Sequence, residues 1–192
     1  MFEGQEVNWK QVILVVFILT LGFALVAAYL SGLKHINHTP SDNEILANLS
    51  GQYGSLGVMH IRGDSMYPAY VDGQKVYVAF DYYENATPVS GDVATIAFHT
   101  IPSEYVKRVA FVQGDVLARS GNNIYLDIAT GSLGGKRIAL DPQSALHKQL
   151  LAYNYIIPNG TVILLGDNQL YSEDSRNFGL VSISQLTGKI VK

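Results

Sequence analysis

The chain has 192 residues, 48% of them apolar and only 15% charged, which excludes intrinsic disorder and allows one globular domain plus an appendage. A net charge of −3 offers no field to attract nucleic acid, and five histidines, at 35, 38, 60, 99 and 147, show no H-E-x-x-H spacing. Cysteine is absent, which rules out disulfides, cysteine-bound zinc and thiol chemistry, so neither a metal nor another cofactor is expected.

After an N-terminal tail (1–11), the first element is an uncharged apolar run, Val12–Leu30. As a helix rising about 1.5 Å per residue it would nearly cross a hydrocarbon core of about 30 Å. Lys10 and Lys34 bracket it, and Trp9 and Tyr29 stand where interfacial aromatics belong, so 12–33 is read as a transmembrane helix. The rival reading is a cleaved secretory signal ending near Ala27-Ala28. It fits less well, because the run exceeds the usual apolar stretch of about 7–15 residues and Glu3 and Glu6 precede it. The flanking charges do not set the orientation. Residues 34–56 are polar and turn-rich and read as a tether with one short helix around Glu44–Leu49.

From residue 57 to 192 the pattern is short β-type runs between turns, which predicts a mainly β, antiparallel, folded-sheet or barrel-like domain. The expected strands are Val58–Arg62, Lys75–Phe80, Asp92–His99, Tyr105–Val112, Asp115–Arg119, Ile124–Ile128, Thr161–Gly166 and Lys189–Val191. Leu140–Tyr155 is the least regular stretch, with room for a short helical segment.

Four polar clusters punctuate this domain: Arg62-Gly63-Asp64-Ser65-Met66-Tyr67-Pro68, Gly91-Asp92, Tyr105-Val106-Lys107-Arg108-Val109 with Gly114-Asp115, and Gly166-Asp167-Asn168 followed by Ser172, Asp174, Ser175, Arg176, Phe178 and Gly179. Each alone fits an ordinary turn or strand. Lys107 and Arg108 are the exception, because side chains alternate along a strand and one of the two cations must face the core that Val106, Val109 and Phe111 imply. The G-x-S-x-G elbow is missing around Ser65, and the S-x-x-K match Ser31–Lys34 lies at the membrane boundary, where Lys34 would reach for headgroups. A Ser-His-Asp triad would need His60 or His99, neither in a recognisable setting.

In this order, behind an N-terminal apolar run, the four clusters resemble the type I signal peptidases, membrane-anchored Ser-Lys endopeptidases that remove signal peptides. The resemblance covers about residues 58 to 181. It implies Ser65 as nucleophile and Lys107 as general base, with the catalytic domain on the extracytoplasmic face of the cell membrane. It implies further that Ser172 positions the Lys107 amine by a hydrogen bond, that Asp174 and Arg176 form an ion pair, and that Gly166, Asp167, Asn168, Met66 and Pro68 support the site. The oxyanion hole would use the Ser65 backbone N–H, with Gly63 or Asp64 nearby. Partners would be signal-peptide-bearing preproteins and the bilayer, with the oligomeric state open. Met66, Tyr67, Pro68, Tyr70 and Tyr82-Tyr83 are candidates either for dipping into the membrane interface or for ordinary packing. The region Val116–Ile157 departs from the family pattern and reads as a small cap-like insertion. Two alternatives stay open, a specialised pilin or conjugation-factor maturation peptidase and a non-catalytic membrane-tethered β module, whereas a self-cleaving Ser-Lys repressor domain shares only the dyad chemistry. The repressor reading lacks both a DNA-binding head and a scissile pair in cis.

Overall fold

The structure is a computed structural model, and it describes residues 9–36, 39–98, 101–128 and 134–191. The expectations placed on Glu3, Glu6, His38 and His99 lie outside the described residues, as do the side chains of Trp9 and Lys34. The chain divides into two units, 1–44 and 45–192.

In the first unit a 28-residue helix, α1 (Trp9–Ile36), contains the apolar run. Its described side chains are exposed throughout 16–31, including Phe17, Leu19, Phe23 and Leu25. Among the described residues no helix is long and apolar enough to cross a membrane, the uninterrupted stretch of described side chains in α1 being confined to 16–31.

The second unit begins inside the expected tether. Helix α2 (Asp42–Tyr53) is longer than the helical segment anticipated at Glu44–Leu49. Ser41 and Glu44 explain its start: the Glu44 carboxylate accepts the Ser41 N–H and the Ser41 hydroxyl accepts the Glu44 N–H, a reciprocal cap that the sequence carries as S-x-x-E. At its other end the Tyr53 ring lies 6.1 Å from that of Tyr82.

Among the described residues ten strands follow: β1 (Leu56–His60), β2 (Lys75–Phe80), β3 (Val93–Phe98), β4 (Ile101–Val112), β5 (Ala118–Ser120), β6 (Asn123–Asp127), β7 (Arg137–Ala139), β8 (Thr161–Leu165), β9 (Val181–Ser182) and β10 (Leu186–Ile190). Short helices α3 (Tyr82–Asn85), α4 (Ala145–Leu151) and α5 (Ser175–Phe178) interrupt them. Seven strands form one antiparallel sheet in the order β1-β2-β10-β3-β4-β8-β9. The sheet is open, with β1 and β9 at its edges, rather than closed into a barrel.

Most expected strands are present, Lys75–Phe80 with the same bounds and the others with ends moved by up to four residues. The exception is Asp115–Arg119, where the strand is Ala118–Ser120 and Val116 makes only an isolated bridge to Ile156. Strands β7 and β9 and helices α3 and α5 were not anticipated; β9 has 2 residues and β7 has 3, too short for a period-2 pattern to register.

The second sheet, β5-β6-β7, falls within the stretch 116–157. It joins the main sheet through a core of Leu117, Ile124, Leu126, Leu146, Leu150 and Ile157 against Ala110, Phe111, Ile163 and Leu165. The main sheet carries two further clusters, one around Ala94, Ile96, Val109 and Leu164, the other around Ile61, Met66, Val76, Val78 and Ile190. The last cluster lies directly beneath the first polar motif and holds it in place.

Candidate active site

Ser65 stands in a loop that leaves β1 and returns at β2. Reciprocal backbone bonds close its neck, Ile61 N–H to Gln74 O at 2.9 Å and Gly73 N–H to Ile61 O at 2.9 Å. Gly63 takes a φ of 73°, in the left-handed region where a side chain would be strained, and turns the chain toward Ser65. Met66, with 1% of its surface exposed, plugs into the cluster below, so the nucleophile's neighbour serves as the loop's anchor. Pro68 follows a cis peptide bond from Tyr67 and is exposed.

Lys107 comes from the middle of β4. Its Nζ lies 2.9 Å from Ser65 Oγ and also donates to the Val106 carbonyl at 3.0 Å. Only 3% of Lys107 reaches solvent, and the Tyr105 ring stands 5.5 Å from the amine. Burial disfavours the ammonium and lowers its pKa to about 8, against a smaller opposing pull from the Asp174 and Glu173 carboxylates. A lysine held so far below its ordinary value can exist as a free amine near neutral pH, as proton abstraction requires.

Arg108 is withdrawn from solvent as well. Its Nε and Nη2 donate to the two Asp167 oxygens at 2.8 and 2.7 Å, and Nη1 donates to the Gly91 carbonyl at 2.9 Å. Next along the chain, the Asn168 N–H donates to the Ser65 carbonyl at 2.9 Å. A continuous path therefore runs from Lys107 through Arg108, Asp167 and Asn168 to Ser65 and ties the backbones of the two reacting side chains together.

The fourth motif closes the site from the other side. Asp174 is fully buried: it accepts from Arg176 Nε at 2.8 Å and Nη2 at 2.9 Å, caps α5, and takes the Gly166 N–H at 3.0 Å. The hydroxyl of Ser175 accepts the Leu164 N–H at 2.9 Å, so α5 is fixed to β8. Gly166 must be glycine for lack of room, since a Cβ there would collide with Ser172 Oγ and lie 2.6 Å from the Ser65 carbonyl.

Two expected contacts are absent. Ser172 makes no hydrogen bond to Lys107; among the described residues its buried hydroxyl has no partner, because the amine's contacts go to Ser65 and the Val106 carbonyl while Ser172 rests against Gly166. The Gly63 N–H is taken by Asp72 Oδ1 at 2.7 Å and is not free to hold an oxyanion. Among the described residues the N–H groups of Ser65 and Asp64 have no acceptor. The candidates for the membrane interface also separate: Met66, Tyr70 and Tyr83 pack into clusters, with the Tyr83 hydroxyl on Asp92 at 3.2 Å, whereas Tyr67 is exposed. Sequence reasoning missed Leu170 and Tyr171, 89% and 74% exposed, and Asp72, whose signal was the Asp-Gly turn it begins.

Ser65 and Lys107 open into a cleft of about 680 Å³. One wall is β1 with the loop after it, from Val58 to Met66; the other is Glu104–Lys107 of β4, with Tyr171 and Glu173 at the rim. β1 is an edge strand, and β4 pairs with β8 only from Arg108 onward, so both walls present strand backbone to the cleft.

The family "Signal peptidase, peptidase S26" matches residues 45–192. Signal peptidase IB of Staphylococcus aureus (strain Mu50) is 30% identical over 151 residues, covering 68% of this chain and 73% of that protein. Signal peptidase I of Bacillus caldolyticus is 31% identical over 145 residues, covering 68% and 74% respectively. Among solved structures, a signal peptidase I from Enterococcus faecalis V583 superposes with a TM-score of 0.40 at 18% identity, covering 54% of this chain and 97% of that one. The chain belongs to the signal peptidase family, peptidase S26, whose members are serine-type endopeptidases.

Proposed function

We propose that this chain removes N-terminal signal peptides from exported proteins, with Ser65 as nucleophile and Lys107 as general base. The observation that carries the reading is the 2.9 Å approach of a desolvated amine to the Ser65 hydroxyl at the floor of a cleft. As Ser65 Oγ attacks the scissile carbonyl carbon, its proton passes to neutral Lys107 Nζ and the carbonyl oxygen becomes an oxyanion near the Ser65 N–H. The ammonium then returns that proton to the leaving amine as the C–N bond breaks. A water molecule, deprotonated by the same amine, hydrolyses the acyl-enzyme. Arg108, Asp167 and Asn168 keep the two groups in register; the ion pair of Asp174 and Arg176 holds the loop that faces them.

The substrate enters as an extended strand between β1 and Glu104–Lys107, with its backbone bonded to both walls. The apolar run within α1 would serve as the membrane anchor: residues 12–30, at about 1.5 Å per residue, nearly match a hydrocarbon core of about 30 Å. The catalytic unit lies on the extracytoplasmic face, where preproteins emerge. Tyr67, Leu170 and Tyr171, exposed around the cleft, are suited to the bilayer interface near the cut. Membership of a peptidase family, together with the Ser65–Lys107 contact, weighs against a merely binding module.

The test is cleavage of a synthetic signal peptide with small residues before the cut, presented to the full chain in detergent or vesicles. Wild type should cut once at that point, and Ser65→Ala should be inert. Turnover by Ser65→Ala would refute the assignment.

A further inference from the structure

The β1 wall of the cleft extends beyond the ladder that shapes it. Regular pairing of β1 with β2 ends at His60 and Lys75. One residue on, Ile61 donates its N–H to the Gln74 carbonyl and accepts the Gly73 N–H, so both of its backbone groups face the β2 side. Along an antiparallel strand these groups alternate in side, which turns the carbonyl of Arg62 to the free edge, where Arg62 lines the cleft. The next residue is Gly63, at φ 73° with nothing within 4 Å of where a Cβ would stand. Glycine passes between positive and negative φ at little cost, so neither sterics nor the ladder holds the Arg62–Gly63 peptide plane.

That restraint comes from Asp72, whose Oδ1 accepts the Gly63 N–H at 2.7 Å. A side chain thus stands in for the acceptor that one more residue of β2 would have supplied. C=O and N–H point in opposite directions in a trans peptide, so an N–H held on Asp72 keeps the Arg62 carbonyl on the free edge. A flipped plane would turn that carbonyl oxygen onto the carboxylate, and the two would repel. We propose that Asp72 is a positioning residue for substrate: it holds the Arg62 carbonyl on the free edge of the β1 wall, as an acceptor for a backbone N–H of the extended peptide being cut. The inference rests on the reading of the cleft as the peptide site.

Asp64, Glu104 and Glu173 line the cleft itself, whereas Asp72 is not among the lining residues and acts through the backbone it holds. The rest of the loop is fixed independently of it. The Tyr67 N–H donates to the Asp64 carbonyl at 3.1 Å, the Asn168 N–H to the Ser65 carbonyl at 2.9 Å, and Met66 is seated in the core. Losing the Asp72 contact therefore loosens the acceptor while the nucleophile stays in place, which separates binding from chemistry.

The experiment measures kcat and KM for wild type, Asp72→Asn and Asp72→Ala, as full chains in detergent, with thermal unfolding of each. The substrates are a synthetic signal peptide and a set of its analogues, each with one backbone amide before the cut replaced by an ester, which removes that N–H. On wild type one ester position should cost about tenfold in kcat/KM. Asp72→Ala should raise KM for the all-amide peptide about three- to tenfold with kcat nearly unchanged, and the penalty at that one ester position should shrink to about twofold. Asp72→Asn keeps an acceptor oxygen and should stay within about threefold of wild type. If Asp72→Ala is unfolded at the assay temperature, Asp72→Ser takes its place, since serine suits the turn but its oxygen is one bond too short. A KM equal to wild type, ester penalties identical in wild type and variant, a loss confined to kcat, or an Asp72→Asn as impaired as Asp72→Ala overturns the proposal. A wild type that does not cut, or a Ser65→Ala that does, overturns instead the reading of the site on which it rests.

Discussion

Two lysines stand opposite the same residue of β3: Ala94 pairs with Lys107 on one side and with Lys189 of β10 on the other. They share a sheet and a row, and their chemistry is opposite. Lys189 Nζ meets the Asp92 carboxylate at 2.7 Å and lies 4.8 Å from the Tyr82 ring. Burial acts against its charge, but Asp92 and Tyr82 more than compensate, and its pKa stands above the ordinary value. Lys107 is buried more deeply and is given a hydroxyl and a carbonyl in place of a carboxylate, so its pKa falls to about 8. Depth of burial and the partner together decide which lysine is a structural cation and which a base. Arg108, one residue from Lys107 and clamped on Asp167, belongs with Lys189 in this respect.

The largest expected effect breaks the base alone. Lys107→Arg keeps a cation that cannot deprotonate, and peptide cleavage should fall at least about a thousandfold. Near-wild-type turnover would abolish the distinction between the two lysines. Next, Asp167→Asn leaves Arg108 without its carboxylate in a site where the pair is nearly dry, and urea unfolding should register a loss of about 3–5 kcal/mol.

Lys107→Met should move stability the other way. The folded pKa of about 8 lies below the unfolded value of 10.5, so the wild type bears the full cost of a buried ammonium below pH 8 and none above pH 10.5. The variant should therefore be inactive yet more stable, by up to about 3 kcal/mol at neutral pH, with the gain vanishing in alkali. Lys189→Met should instead destabilise, by about 1–3 kcal/mol, because it leaves Asp92 buried without its cation. Equal signs for the two methionine variants would show that burial and not the partner sets the difference. The smallest effect belongs to Asp127→Asn, which breaks a surface pair with Arg137; its unfolding midpoint should match wild type within error.

Ser65, Lys107 and the pair of Asp174 with Arg176 were legible through the resemblance of the four motifs, in their order, to the signal peptidases. Alternation in β4 required only that Lys107 or Arg108 face inward, and both proved to be withdrawn from solvent. Less legible was what the backbone decides. Gly63 was a reasonable oxyanion donor until Asp72, nine residues on, proved to hold its N–H, a contact set by how the loop closes rather than by any local pattern. Ser172 is similar: the sequence brings it to the site, but its rotamer against Gly166 leaves it unpaired. Helix α2 was underread because its apolar content is low and the S-x-x-E cap carried the signal. Tyr83 shows the same limit, since an aromatic pair in sequence does not reveal which ring turns inward onto Asp92.

The vacant strand position between β1 and the first half of β4 has another consequence. An unfilled place in a sheet welcomes any extended chain, including the exposed edge of a second copy, and such edges are where proteins clump. Charged side chains ring this opening, with Arg62 and Asp64 on one bank and Glu104 and Glu173 on the other. They act as gatekeepers, and neutralising several together should lower solubility before it alters the fold.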